Sequence, residues 1–236
     1  MPIIYRSIEK SNSGSYPPVT RGPGRPRATN AATPTDTREV ILDVAGELFA
    51  NQGYAATGTR EIAAVVGLRQ ASLFHYFARK EDLFAELLDR TVSPALAATP
   101  WLMNHGGPPE VRLYALVHHD VMNLCGTRHN LAALQLLPEA RDERFADFWA
   151  KRARLRGRYR SLIKDAARAG RVVDLPAEMV TDLVFGAVEA TMTWSESSRR
   201  AAPERIADAV AAAAVRGVLV KPPTAQALRV AAARLR

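Results

Sequence analysis

The sequence predicts an all-α chain, with a small N-terminal group of helices followed by a larger helical region. Apolar residues recur three and four positions apart through most of the chain after Thr37, the period of helices that bury one face. Glycine or proline stands at most of the breaks between these periodic stretches. No convincing period-two alternation of apolar and polar residues marks a strand, and no internal repeat is visible.

The elements follow in order. Residues 1–36 are rich in Ser, Pro, Gly and Thr and lack apolar periodicity after Ile8, so they read as a flexible basic arm. From Thr37 a helix begins, with Val40, Ile41, Val44, Ala45, Leu48 and Phe49 on one face. Thr35 or Thr37 can cap its start, and Gly53 suits its left-handed end. Thr59 then caps a short helix over 60–66, closed by Gly67, and a third helix runs over 70–77. A fourth starts at Arg79–Lys80 and turns Leu83, Phe84, Leu87 and Leu88 inward, until Ser93–Pro94 breaks or bends the chain. Beyond it, Tyr114, Val117, His118, Val121, Met122 and Cys125 share a face. A long basic helix is expected over 139–169, burying Leu155, Tyr159, Leu162, Ile163 and Ala166 before Gly170. Pro176 opens a helix that aligns Val180, Leu183, Val184, Ala187, Val188 and Thr191. Pro203 opens another with Ile206, Ala209, Val210, Ala213, Ala214, Gly217 and Val218.

The stretch from Arg60 to Phe77, R-E-I-A-A-V-V-G-L-R-Q-A-S-L-F-H-Y-F, carries the most information. Two short helices meet at Gly67, with Ile62, Val66, Leu68 and Leu73 where they must pack. Ala63 is small where the second helix crosses close over the first, and Gly67 permits the positive φ of a tight turn. This is a helix-turn-helix arrangement, which projects its second helix into the DNA major groove.

The flanks extend the match. L-F-A-N-Q-G-Y, T-R-E-I-A-A-V-V-G-L and S-L-F-H-Y-F-A-R-K-E-D-L fall in order within residues 37–90, which resemble the DNA-binding domain of the TetR/AcrR family of bacterial regulators. The resemblance implies an N-terminal three-helix helix-turn-helix DNA-binding domain over 37–82. It also implies a helical effector-binding and dimerisation domain over 83–220, followed by a C-terminal tail over 221–236. It further implies roles for named residues. Thr59 and its neighbouring amides would hold a phosphate at a helix N-terminus. Arg60 would touch a base or a phosphate. Gln70, Ala71 and Ser72 would open the recognition helix, with Gln70 able to pair bidentately with adenine. Phe74 and His75 would lie on the exposed side, and Tyr76 and Lys80 would meet the backbone, Lys80 neutralising a phosphate. Two positions depart from the family pattern. Arg69 removes a Ser or Thr cap and adds a cation, either a guanine reader or a second phosphate clamp. Phe74 lacks the hydroxyl of the more usual Tyr.

The arm contains R-G-P-G-R-P-R at 21–27. Arg25 and Arg27 flank a proline in a narrow, extended, cationic segment that suits the A·T-rich minor groove, or else serves as a solubilising tail. In the second region, the helices near 177–194 and 204–220 have wide faces of Ala, Val and Gly, consistent with a homodimer through the last two long helices, as the family implies. The same analogy places a pocket for a small, largely apolar effector among Trp101, Met103, Tyr114, His118, Met122, Phe145, Phe148 and Trp149, with Trp194 closing it. Core packing is the competing role for each of them.

Other functions are disfavoured. His118, His119, Cys125 and His129 are spaced poorly for a metal, so no metal or other cofactor is expected. No nucleophile elbow, phosphate-binding loop or recognisable carboxylate pair suggests an enzyme. One cysteine, no long apolar run and no signal-peptide pattern point to a cytoplasmic protein without a membrane segment. The run of cations over 151–160 points in nearly every direction around its helix, so snorkelling side chains explain it better than a second nucleic-acid surface. The formal net charge is +8, yet residues 37–93 carry six basic and eight acidic residues. Overall the sequence supports a dimeric repressor on a palindromic double-stranded operator, released by its effector. The alternative is an architectural, nucleoid-type DNA-binding protein without an effector.

Overall fold

The computed structural model describes residues 34–127, 129–194, 198 and 200–235. Ten α-helices are labelled here in chain order. The first four are α1 Pro34–Gln52, α2 Thr59–Val66, α3 Gln70–Tyr76 and α4 Lys80–Arg90. The larger domain holds α5 Ser93–Asn104, α6 Pro109–Cys125, α7 Ala146–Arg168, α8 Ala177–Ala190, α9 Pro203–Arg216 and α10 Ala225–Ala233. Short 3₁₀ turns at Leu131–Leu136, Pro138–Arg141 and Glu143–Phe145 join α6 to α7. Among the described residues the only extended pairing is a single antiparallel bridge between Val172 and Leu219. The all-α architecture is therefore as the periodicity indicates.

Helix α1 buries Ile41, Leu42, Ala45 and Phe49 against α2 and α4. It begins at Pro34, whose fixed φ suits a first turn, so Thr35 and Thr37 both lie inside the helix rather than capping it. Gly53 and Gly67 hold φ of +88° and +80°, a region closed to most side chains. Helix α4 is capped by its own sequence: the Asp82 carboxylate accepts the Arg79 amide at 2.9 Å. Phe84 stacks edge-on with Phe49 and with Phe145, joining α4 to the turn before α7.

Helix α6 is the centre of the larger domain, with Leu113, Leu116, Val117 and Val121 fully buried and α5, α7, α9 and α10 packed around it. Helix α7 is shorter than its basic stretch suggests. Pro138 opens one 3₁₀ turn, and Asp142 takes extended backbone and accepts the Arg144 amide at 3.0 Å, so residues before 146 cannot join the α-helix. The stripe of Leu155, Tyr159, Leu162, Ile163 and Ala166 is buried as expected. The cations around it enter ion pairs: Lys151 with Asp89, Arg152 with Glu189, Arg156 with Asp182, and Arg160 with Glu178.

The segment expected as a C-terminal tail over 221–236 contains a helix. Residues 225–233 form α10, capped by the Thr224 hydroxyl, which accepts the Ala227 amide at 3.1 Å. Leu228 and Leu235 are buried, so two apolar anchors in an otherwise Ala- and Arg-rich segment suffice to dock it on α6. No helix among the described residues is long and apolar enough to cross a membrane.

Candidate nucleic-acid interface and ligand cavity

Helices α2 and α3 are set by the turn between them. The Leu68 amide donates to the Ala63 carbonyl at 2.8 Å and the Gly67 amide to Ala64 at 3.2 Å, closing α2 with Gly67 left-handed. Arg69 is the extended N-cap of α3 and offers no side-chain cap, as its identity implies. Ile62, Ala63, Leu73 and Phe77 are buried, with α2 packed on α1 and α3 packed on α2. The opposite face of α3 presents Gln70, Ala71, Phe74 and His75 to solvent, with Arg60 and Arg69 exposed beside it. Phe74 keeps 43% of its surface exposed although aromatic rings are normally buried. Ser72, Tyr76 and Thr59 are half-buried.

Two residues depart from their expected placement. Gly58, not Thr59, is the N-cap of α2, and Thr59 occupies the first helical position. Its hydroxyl accepts Gln70 Nε2 at 2.8 Å, clamping the start of α2 to the start of α3. Lys80 does not reach outward. Its ammonium donates to the Tyr54 carbonyl at 2.5 Å and sits 4.0 Å from the Tyr54 ring centroid. Burial lowers its pKa, so Lys80 is a strut between α4 and the α1–α2 connection. Arg79, one position earlier and not among the expected DNA contacts, is exposed. Arg25 and Arg27 lie outside the described residues.

The helix-turn-helix is fastened to the larger domain through α1 and α4. Arg90 forms a two-pronged pair with Glu39, both contacts at 2.7 Å, and Arg38 pairs with Glu86 while lying over the Phe77 ring. Beyond α4, Asn123 of α6 donates to the Arg90 carbonyl at 3.1 Å, and Gln135 donates to the Thr91 hydroxyl at 2.8 Å.

A cavity of about 960 Å³ opens between α5, α6, α9 and α10, within the size range of small-molecule sites. Of the residues expected around a pocket, Trp101, Tyr114, His118 and Met122 line it. The others lie elsewhere. Phe145 and Phe148 are core residues, at 2% and 4% exposure. Trp149 donates its indole N–H to the Ala140 carbonyl at 2.6 Å beneath Arg141. Met103 and Trp194 pack half-buried against the core. Aromatic residues fill cores and cavities alike, and the sequence does not separate the two. Absent from the expectation was the polar wall. Asp208 of α9 accepts the Tyr114 hydroxyl at 3.0 Å, lies 3.4 Å from His118 Nε2 and pairs with Arg229 of α10 at 3.2 Å. Burial and the Asp208 carboxylate push the Tyr114 hydroxyl well above its ordinary pKa. Among the described residues no group of three or more His, Cys, Asp or Glu could hold a metal ion.

Comparison with known proteins adds three findings. A sequence profile for bacterial regulatory proteins of the tetR family matches residues 41–87, and a profile for the tetracyclin repressor-like C-terminal domain matches residues 106–218. The crystal structure of AmtR from Mycobacterium smegmatis is similar over 90% of this chain and 97% of that one, with 42% identity and a TM-score of 0.73. The HTH-type transcriptional repressor KstR2 of Rhodococcus jostii is 38% identical over 63 residues, which is 27% of this chain and 31% of that protein. This chain thus matches less than a third of the length of that curated relative.

Proposed function

This chain belongs to the tetR family of bacterial regulatory proteins and is a transcriptional regulator, and from that premise we propose that it is a dimeric repressor whose operator affinity is set by a ligand in the α5–α6–α9–α10 cavity. The observation that carries the reading is the exposed face of α3, Gln70 to His75, held against α2 by the left-handed Gly67 turn. Arg60, Arg69 and Arg79 flank that face and supply phosphate contacts that fix its register in the major groove.

Dimerisation is supported by α8 and by Leu175, two residues before it. Leu175, Met179 and Leu183 leave 43%, 50% and 54% of their surfaces exposed, four residues apart. With the exposed Ala209 and Ala213 of α9 they give an apolar strip of the kind a two-fold helical interface covers. Two copies would present two recognition helices to a palindrome.

Asn123 gives a physical route from cavity to DNA, because it lines the cavity and also holds the last carbonyl of α4. A ligand that draws α6 away would loosen α4, and Arg90–Glu39 would pass the shift to α1. An architectural protein has no use for such a connection.

The test is fluorescence anisotropy of the protein with its own upstream DNA, beside light scattering of the wild type and of Leu183→Glu. A wild-type dimer binding one palindrome tightly, and a Leu183→Glu monomer that loses it, is the expected result. A monomeric wild type, or equal affinity for any DNA sequence, rejects the proposal.

A further inference from the structure

The cavity is lined by both apolar and charged side chains, and on the reading that this is the effector site, we propose that its ligand is an amphipathic organic cation, an amine or ammonium head on an apolar body. Trp101, Leu102 and Met122 are part of its apolar lining. Its charged side chains are two carboxylates, Asp208 and Glu204, and one guanidinium, Arg229, beside the imidazoles of His118 and His119.

The partners of these charges decide the sign. Arg229 is committed to Asp208 at 3.2 Å and to the Gln226 side chain. Asp208 has donors on both oxygens, Tyr114 on one and Arg229 on the other. His118 Nε2 also lies 3.4 Å from the oxygen that accepts Tyr114, so the oxygen paired with Arg229 is the one with a second lone pair to offer. Glu204 is exposed at the cavity wall and has no ion-pair partner among the described residues. An ammonium entering here meets the Glu204 carboxylate, and the rings of Tyr114 and His118, stacked at 6.2 Å, line the same cavity. Aromatic faces attract cations.

The other two ligand classes fit worse. An anion would approach two carboxylates while Arg229, the one guanidinium among the described lining residues, is already paired. A wholly apolar ligand would strip water from Glu204 and from the outer face of Arg229 and give no hydrogen bond back, which is costly for charged groups.

The experiment titrates the full-length protein, without DNA, with n-octylamine, sodium n-octanoate and n-octanol below their aggregation limits, following tryptophan emission. Octylammonium is expected to bind saturably and about tenfold tighter than the other two, the size of one charge-assisted hydrogen bond. Glu204→Gln should lose about the same factor for octylammonium and nothing for octanol. Octanoate or octanol binding as tightly as octylammonium overturns the proposal. Unchanged octylammonium binding by Glu204→Gln, or no saturable binding by any of the three, also overturns it. Because the measurement contains no DNA, it is independent of the regulator reading, which fails separately if the protein shows no preference for an operator.

Discussion

Asp120 provides a quantitative test of how the larger domain is held together. Its carboxylate is buried at 2% exposure in the middle of α6 and accepts one hydroxyl hydrogen bond, from Tyr159 of α7 at 2.8 Å. Burial raises its pKa from the ordinary 3.8 to about 6, against the smaller opposing effects of the Tyr159 hydrogen bond and the nearby Arg152 charge. A carboxyl that binds its proton more tightly folded than unfolded costs stability once it ionises, and that cost fades as pH falls through the folded value. The gap between 3.8 and 6 corresponds to about 3 kcal/mol at pH 7.5 and roughly half that at pH 5. Asp120→Asn keeps an acceptor for Tyr159 and removes the charge. The variant is therefore expected to be more stable by about 3 kcal/mol at pH 7.5, which raises the melting temperature by roughly 6–12 °C for a chain of this length. At pH 5 the gain should halve. Differential scanning calorimetry of both proteins at equal concentration, at the two pH values, measures the difference. A difference independent of pH would refute the argument, and so would a variant less stable than wild type at pH 7.5, which would show that the ionised Asp120 holds α6 to α7.

Three further outcomes are expected. Gly67→Val should cost about 1–2 kcal/mol from backbone strain alone, since nothing lies within 4 Å of the position its Cβ would take; urea unfolding measures this, and an unchanged midpoint would contradict the left-handed turn. Gln70→Ala removes an exposed contact to Thr59, so stability should move by less than about 0.5 kcal/mol. Its operator affinity should drop by about 1–3 kcal/mol with non-specific affinity kept, and an equal loss on both DNAs in anisotropy titrations would show that Gln70 does not read a base. Deleting residues 1–33 should lower the slope of log affinity against log salt by about 2 if Arg25 and Arg27 each contact one phosphate; an unaltered slope excludes the arm from DNA.

What the sequence made legible was local. The Gly67 turn, the inward Ile62, Ala63 and Leu73 and the outward Gln70 to His75 all depend on spacings within 20 residues, where helix periodicity and one positive φ decide the geometry. The buried stripe of α7 was legible for the same reason. The cavity was not, because its polar wall is assembled at long range. Tyr114 and Asp208 stand 94 positions apart, and Arg229 sits in a segment whose composition resembles a frayed end. Lys80 was misplaced by a different effect. Its position on the helix surface is evident from spacing, but the flexible stem let the ammonium turn back to the Tyr54 ring and carbonyl, a choice that depends on the α1–α2 connection.

The same distinction settles the meaning of the charge. A surplus of +8 suggests a polyanionic partner, yet much of the basic run on α7 is tied to acids on α4 and α8. The face that would meet DNA holds instead the uncharged Gln70, Ala71 and Phe74 within a rim of three exposed arginines, Arg60, Arg69 and Arg79. A rim of that kind gives non-specific attraction to phosphate, while the uncharged centre has the shape and hydrogen-bonding capacity to discriminate bases. Discrimination in this protein would therefore respond to substitutions on α3 that leave net charge untouched, and total charge would follow only the salt dependence of binding.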